Sequence, residues 1–234
     1  MTFVRDSHVS KPAPNSLPAP NLVGGVSVEE AIARRRSVRE YTSDPITMAE
    51  LSQLLWAAQG VTDTQSRRRA SPSAGALYPL ELYAVVRERG VVGLPAGVYR
   101  YSPEDARMTM AKNGDVSGEL RAAALDQEMV GLAAVSVVTT AVVQRTRSKY
   151  AERALQYVFQ ESGHAAENVF LQAVSLGLGT VMVGAFNEEE VHSVIGARPE
   201  ERPIYIQPVG VPPHRGERST LRRKALSREP DRHR

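Results

Sequence analysis

From residue 27 onward the apolar and polar positions fall into two distinct periods. Ser27 followed by Glu30 has the form of a capping box, and it predicts a helix over residues 28–36. Thr47 and Glu50 repeat the signal after the extended Asp44-Pro45 step. Leu51, Leu54, Leu55 and Ala58 then give that second helix one apolar face. Residues 60–72 are polar and read as a loop. Residues 80–87, with Leu82, Tyr83, Val85 and Val86, read as a strand, and residues 97–101 as a shorter one. A helix is predicted over 115–125 and a strongly hydrophobic central strand over 133–143. The longest helical pattern covers 149–176, with Ala154, Leu155, Val158, Phe159, Ala165, Ala166, Val169, Phe170 and Ala173 apolar, and Gly177 and Gly179 stop it. A strand at 180–183, a helix at 188–195 and a strand at 204–209 complete the pattern. Strands and helices mix without regular alternation, so the class is α+β rather than a doubly wound sheet. No segment repeats.

Composition adds boundaries and exclusions. Residues 1–25 place Pro12, Pro14, Pro18 and Pro20 among Ala, Ser and Asn, as expected for a flexible, Pro-rich arm. Residues 26–215 form the expected domain, and 216–234 a basic tail. With 234 residues, 42% of them hydrophobic, the chain can bury a substantial core. Cysteine is absent, which excludes disulfides, thiolate nucleophiles, cysteine-ligated metals and iron–sulfur clusters. His8, His192, His214 and His233 have no metal-ligand spacing, so no metal is expected. The start of the chain has no apolar signal region. The apolar run over 130–143 is interrupted by Ser136, Thr139 and Thr140 and is too short to span a bilayer, so a cytoplasmic protein is expected. The formal charge is +3. Positive charge gathers at Arg34–Arg39, at Arg67–Arg69 and from Arg215 onward, without interleaved aromatic residues, so nucleic acid is not an expected partner.

Three segments carry candidate chemistry. Arg35, Arg36, Ser37 and Arg39 offer three guanidinium groups and a hydroxyl within five residues, a set suited to a dianionic phosphate. Taken alone, the same run reads as a basic helix end set against the helix dipole. Ser71 to Glu81 is rich in small residues, which let backbone N–H groups approach a flat ligand; alone it is a tight turn. The stretch from Leu176 to Asn187 is glycine-rich, but its order is helix–Gly–strand, which argues against a Rossmann dinucleotide site.

Taken together, in this order and spacing, the three segments resemble the nitroreductase family over roughly residues 27–213. The resemblance implies an intertwined homodimer around a central, mostly antiparallel sheet flanked by helices, with two FMN sites at the interface. It assigns Arg35, Arg36, Ser37 and Arg39 to the flavin phosphate and ribityl chain. Pro72, Ser73, Ala74 and Leu77 would lie against the flavin, usually that of the partner subunit. Gly184 and Ala185 would contact the ring. A basic residue after the last strand would complete the phosphate site, with Arg215 the candidate and Arg218 its rival. Ala76 and Tyr78-Pro79-Leu80-Glu81 replace the Asn and Gln-Pro-Trp of typical nitroreductases. That segment, Lys149-Tyr150 and the run Glu161 to Asn168 resemble the SagB/McbC-type branch, the azoline dehydrogenases of peptide natural-product biosynthesis.

That branch removes a proton and a hydride from a thiazoline or oxazoline ring. The cofactor does the redox step, and the protein supplies position and a base. The resemblance makes Lys149 and Tyr150 the catalytic candidates, since a buried lysine can be neutral and a neighbouring cation favours a phenolate. Without it, the pair reads as a surface cation beside a snorkelling ring. His164 is expected to be a satisfied core histidine, and Trp56 core packing. Two other functions compete: an NAD(P)H-dependent nitro or quinone reductase, and a flavin-carrying subunit that works only beside a cyclodehydratase or synthetase. The substrate is a small molecule or peptide-derived, and residues 101–132 are the expected pocket-lining stretch. No membrane partner is expected.

Overall fold

The computed structural model describes residues 16–213. Seven α-helices and eight strands are formed among them: α1 Val28–Arg34, α2 Met48–Gln59, β1 Val61–Asp63, β2 Arg68–Arg69, β3 Leu80–Val86, β4 Gly97–Ser102, β5 Arg107–Asn113, α3 Ser117–Ala123, α4 Glu128–Leu132, β6 Val135–Ala141, α5 Val143–Tyr150, α6 Ala154–Ser175, β7 Gly179–Thr180, α7 Glu188–Ile195 and β8 Arg202–Gly210. Six strands form one sheet in the order β5-β4-β3-β6-β8-β7, and β1-β2 make a small hairpin. Every neighbouring pair in the large sheet is antiparallel. The class is α+β.

The sheet is the middle of three layers, and β3 shows why. All seven of its residues are buried, and their side chains alternate between faces. Leu80, Leu82, Ala84 and Val86 meet Leu51, Leu54 and Leu55 of α2 and Val158, Ala165 and Val169 of α6. Tyr83 and Val85 face Leu120, Val130, Val191 and Ile195 of α3, α4 and α7. Leu51, Leu54 and Leu55 are fully buried, and each such side chain contributes about 1.5–3 kcal/mol of transfer free energy. β6 pairs with β3 on one side and β8 on the other, the expected central strand.

The capping signals behave differently at the two helices. At α2 both halves of the Thr47–Glu50 box are made. At α1 Ser27 accepts the Glu30 N–H at 3.1 Å, but the Glu30 carboxylate pairs with Arg34 at 2.8 Å instead of reaching back. The helix then ends at Arg34, two residues short of the prediction, which leaves Arg35 and Arg36 outside it.

Three expectations are corrected. The stretch 149–176 is not one helix. Lys149 and Tyr150 end α5, Ala151 turns at φ 47°, and α6 begins at Ala154. Good helix formers flank that break, so periodicity cannot reveal it. Strand β5 falls in the stretch expected to line a pocket; only Met108 of it is buried, because it is a polar edge strand. Residues 16–21 of the expected flexible arm are pinned. Ser52 donates to the Pro18 carbonyl at 2.6 Å, Gln53 exchanges hydrogen bonds with the Asn21 backbone, and Leu17 donates to the Ala106 carbonyl. Their partners lie elsewhere in the chain, so local composition does not announce them. No described helix is long and apolar enough to cross a membrane.

Candidate active site

The arginine segment leaves α1 as an extended strand edge. Arg36 folds back, and its Nη1 donates to the Ala33 and Arg35 carbonyls at 3.0 and 2.7 Å. This guanidinium therefore caps the helix end, as a basic residue does at the negative pole. The Arg35 guanidinium lies 5.2 Å from the centre of the Phe170 ring on α6. Ser37 bridges Thr180 of β7, and Val38 N–H donates to the Thr180 carbonyl at 2.9 Å. A Cβ on Gly179 would lie 2.6 Å from Val38, so only glycine lets the two strands approach. The Tyr41 hydroxyl donates to the carbonyls of Val38 and Pro208 and ties the edge down. Ser37 and Arg39 remain exposed. The chain runs on from Thr180 to Gly184 and Ala185, both exposed. Gln127 Nε2 donates to the Ala185 carbonyl at 2.9 Å and holds that step to the end of α3.

The second group of candidates forms around the turn that precedes β3. Its backbone is left-handed at Gly75, Ala76 and Tyr78, with φ of 64°, 54° and 44°. For Ala76 and Tyr78 this costs roughly 1–2 kcal/mol each. The Ser73 hydroxyl accepts the Tyr78 N–H at 2.9 Å and closes the turn. The Tyr78 hydroxyl accepts the Arg69 N–H at 3.2 Å, and the Arg69 guanidinium stacks 4.7 Å from the same ring. Lys149 and Tyr150 meet this turn. A Cβ on Gly75 would lie 2.9 Å from Tyr150 Oη and 3.1 Å from Lys149 Nζ. The Lys149 ammonium sits 5.6 Å from the Tyr150 ring, whose other neighbour is Tyr157, edge-on at 4.9 Å. Lys149 is exposed in this chain and not buried as expected, because α5 presents only Thr146 to the core.

Beneath Ser73 lies a carboxyl outside the residues that the family resemblance assigns to the site. Glu161 is 3% exposed, and its Oε1 has no hydrogen-bond partner. Burial pushes its pKa up to about 7, opposed by the Ser73 hydroxyl and the Arg69 charge. A 230 Å³ pocket joins Glu161 to Pro72, Ser73, Ala74, Tyr157 and His164. The signal was present: Glu161 occupies the apolar stripe of α6 beside Val158 and Ala165, where an acid is out of place. His164 is exposed at this pocket rather than a core histidine, since it sits at the edge of that stripe. Trp56 is half-buried beside a second, 710 Å³ cleft, so it is not core packing. Arg34 is exposed and paired to the equally exposed Glu30. Arg215 and Arg218 lie outside the described residues. No cluster of metal-ligating side chains occurs among the described residues.

The chain thus gathers its candidates into two sets. In the first, Arg35, Arg36, Ser37 and Arg39 run beside β7, and Gly184 and Ala185 follow further along the chain, against Tyr205 and the end of α3. Pro72, Ser73, Ala74, Leu77, Lys149 and Tyr150 surround the Gly75 turn. The sequence model of the nitroreductase family matches residues 32–211. The chain belongs to the nitroreductase family. Within that family it is 44% identical over 185 residues to a candidate nitroreductase of Methanocaldococcus jannaschii, covering 79% of this chain and 91% of the relative. It is 26% identical over 136 residues to the microcin B17-processing protein McbC of Escherichia coli, covering 57% of this chain and half of McbC. Among solved structures, a candidate nitroreductase of Ralstonia eutropha superposes with a TM-score of 0.75 at 27% identity, covering 86% of this chain and 90% of that one. A chain of the E. coli microcin synthetase McbBCD complex, bound to truncated pro-MccB17, shares the fold with a TM-score of 0.69 at 21% identity, covering 89% and 80%. A nitroreductase-family oxidoreductase is the activity class these matches carry.

Proposed function

We propose that this protein is an FMN-dependent dehydrogenase of the SagB/McbC type, oxidising a thiazoline- or oxazoline-type ring to the azole. The observation that carries the reading is the convergence at Gly75. Two separate stretches of sequence meet there, so that an amine and a phenol flank a strained, small-residue turn. The donor sets fit FMN. Exposed Ser37 and Arg39, with Arg35 beside them, offer charge-assisted bonds to a phosphate. The lack of a side chain at Gly75 lets the Tyr150 phenol and the Lys149 amine close directly onto the turn backbone, the face the flavin ring would meet. Once bound, FMN supplies the hydride acceptor. Lys149 and Tyr150 would orient the substrate ring, and the proton from its carbon would pass to the free-amine form of Lys149 Nζ or to the phenolate form of Tyr150 Oη. Dioxygen is the final electron acceptor.

A homodimer accompanies this reading. Glu161, under the Gly75 turn, and Phe170, under Arg35, both belong to α6. At 3.6 residues per turn they point about half a turn apart and lie about 14 Å apart along the axis. One chain therefore offers its two sets on opposite flanks of α6, and a second copy supplies the complement. Leu22, Val23, Val28 and Ile32, all more than half exposed, give such a copy an apolar face to cover.

The M. jannaschii relative favours a second reading, an NAD(P)H-dependent nitro or quinone reductase. One assay tests the cofactor that both readings share, and a second separates the readings. The absorbance spectrum of the purified protein should show flavin bands. Azoline oxidation under air, without turnover of NADPH and a nitroarene, supports the first reading. Rapid bleaching by NADPH with nitroarene turnover overturns it. Within the first reading, Lys149→Ala and Tyr150→Phe should each abolish turnover with FMN retained, and full activity in both removes their role.

A further inference from the structure

α5 has little apolar surface with which to hold its place. Of its eight residues only Thr146 is buried, and the chain breaks immediately after it at Ala151. Yet it must hold Lys149 and Tyr150 against the Gly75 turn. Besides the Val142 N–H bond to the Pro79 carbonyl at 2.8 Å, the fixing contacts come from Arg145, one helical turn before Lys149. Its Nη1 donates to the Tyr78 carbonyl at 2.8 Å, and its Nη2 meets Glu81 Oε1 at 2.5 Å. Glu81 is buried on β3, and its other oxygen takes Arg100 Nη2 at 2.6 Å. Arg100 faces Glu201 at 3.8 Å, and Glu201 accepts the Thr140 hydroxyl at 2.7 Å. Arg145 is thus anchored through β3 and β4 to the centre of the sheet. The carbonyl it grips belongs to Tyr78, the last left-handed residue of the turn. One guanidinium spans the helix that carries the amine and phenol and the strained turn they face. A lysine has no rigid fork with which to reach both acceptors.

We infer that Arg145, oriented by Glu81, is a positioning residue that locks the Gly75 turn and the Lys149–Tyr150 pair into one rigid unit. The inference rests on the proposal that this pair is reactive. Its structural half, the lock itself, is measurable without any substrate.

The test compares the full-length flavoprotein with Arg145→Ala, Arg145→Lys and Glu81→Gln. Hydrogen exchange of residues 73–78 and the rate of Lys149 acylation by an amine-reactive ester, resolved by mass spectrometry, report the lock directly. In Arg145→Ala both should rise on the order of tenfold, while exchange in β3 and β6 stays at the parent rate. Guanidinium ion at millimolar concentration should lower both again. Turnover should fall on the order of 100-fold in kcat with KM little changed. Arg145→Lys and Glu81→Gln, which keep part of the network and remain informative if Arg145→Ala fails to fold, should give intermediate rates. Parent-like exchange and acylation in the folded variants overturn the lock. A loosened turn with parent-like kcat overturns the positioning role. Full activity of Lys149→Ala, with Arg145→Ala still loosened, defeats the reactive-pair reading and leaves the lock standing.

Discussion

The two sets of candidate residues are built on opposite plans. Along β7 the groups are exposed except for the half-buried Arg35, and the backbone beneath them is relaxed and held by ordinary edge bonds. Around Gly75 the backbone is left-handed at three of four residues, and the supports are buried and charged: Glu81, Glu161 and the half-buried Arg145. An exposed set answers to substitution through ligand affinity, because solvent replaces what is lost. A set that stands on buried, charged supports answers through stability and geometry, because nothing replaces a lost support. The first plan suits a charged anchor and the second suits positioning of reacting groups.

The sharpest way to break the contrast is pH. Glu161 titrates near 7 in the folded chain, against 4.5 ordinarily, because burial disfavours its charge. Ionisation therefore costs more folded than unfolded. The stability it contributes is fully present below about pH 4.5 and is lost as pH rises through about 7. Glu161→Gln cannot ionise. It should match the parent at about pH 4 and exceed it by about 3 kcal/mol at about pH 9, read from urea midpoints. Parallel pH profiles for the two proteins would mean that Glu161 is solvated and that the Gly75 turn does not stand on a buried support.

Next in size is Gly75→Ala. The new methyl would press on Tyr150 Oη and Lys149 Nζ, the ends of flexible side chains, so the fold survives and the pair moves. Turnover should drop on the order of 100-fold, and the left-handed φ should add about 1 kcal/mol of strain. Gly179→Ala, on the β7 side, meets the Val38 Cβ instead and should destabilise the edge without touching the pair. Equal kinetic effects from the two would erase the distinction.

How legible these plans were in the sequence follows from their physics. The arginine run, the small-residue turn and the Gly184-Ala185 step are short, contiguous motifs, and the strong periodicities of β3, β6, α2 and α7 gave most of the fold. Contacts across distance were not legible. Arg145 looks like any charged residue of a polar helix, and Glu81 like the end of a motif. Their meaning lies in the pairing of α5 with β3. The break at Ala151 was hidden because every residue around it favours helix. The edge strand β5 was hidden because one buried residue leaves no alternation to detect. Glu161 alone carried a visible anomaly, an acid on an apolar stripe.

A smaller effect sharpens the β7 side. Arg39→Ala removes one exposed guanidinium. By the contrast drawn above it should raise the FMN dissociation constant roughly tenfold with the urea midpoint unmoved, measured by flavin fluorescence titration. A variant that lost stability but kept its flavin would show Arg39 to be a structural cation.

The smallest effect belongs to Gln127, which donates to the Ala124 and Ala185 carbonyls at 2.9 Å each. It is a neutral tether beneath an exposed step, and it shares features of both plans. Truncation to Ala leaves the exposed Ala185 carbonyl to water and the buried Ala124 carbonyl to its remaining bond from the Gln127 backbone N–H, so the stability loss should stay near 1 kcal/mol. The Gly184–Ala185 backbone, no longer held to α3, should exchange its amide hydrogens faster and bind FMN a few-fold more weakly. Loss of flavin without faster exchange would place Gln127 itself on the ligand. Faster exchange without loss of flavin would remove Gly184 and Ala185 from the anchor, leaving the arginine edge to hold the phosphate alone.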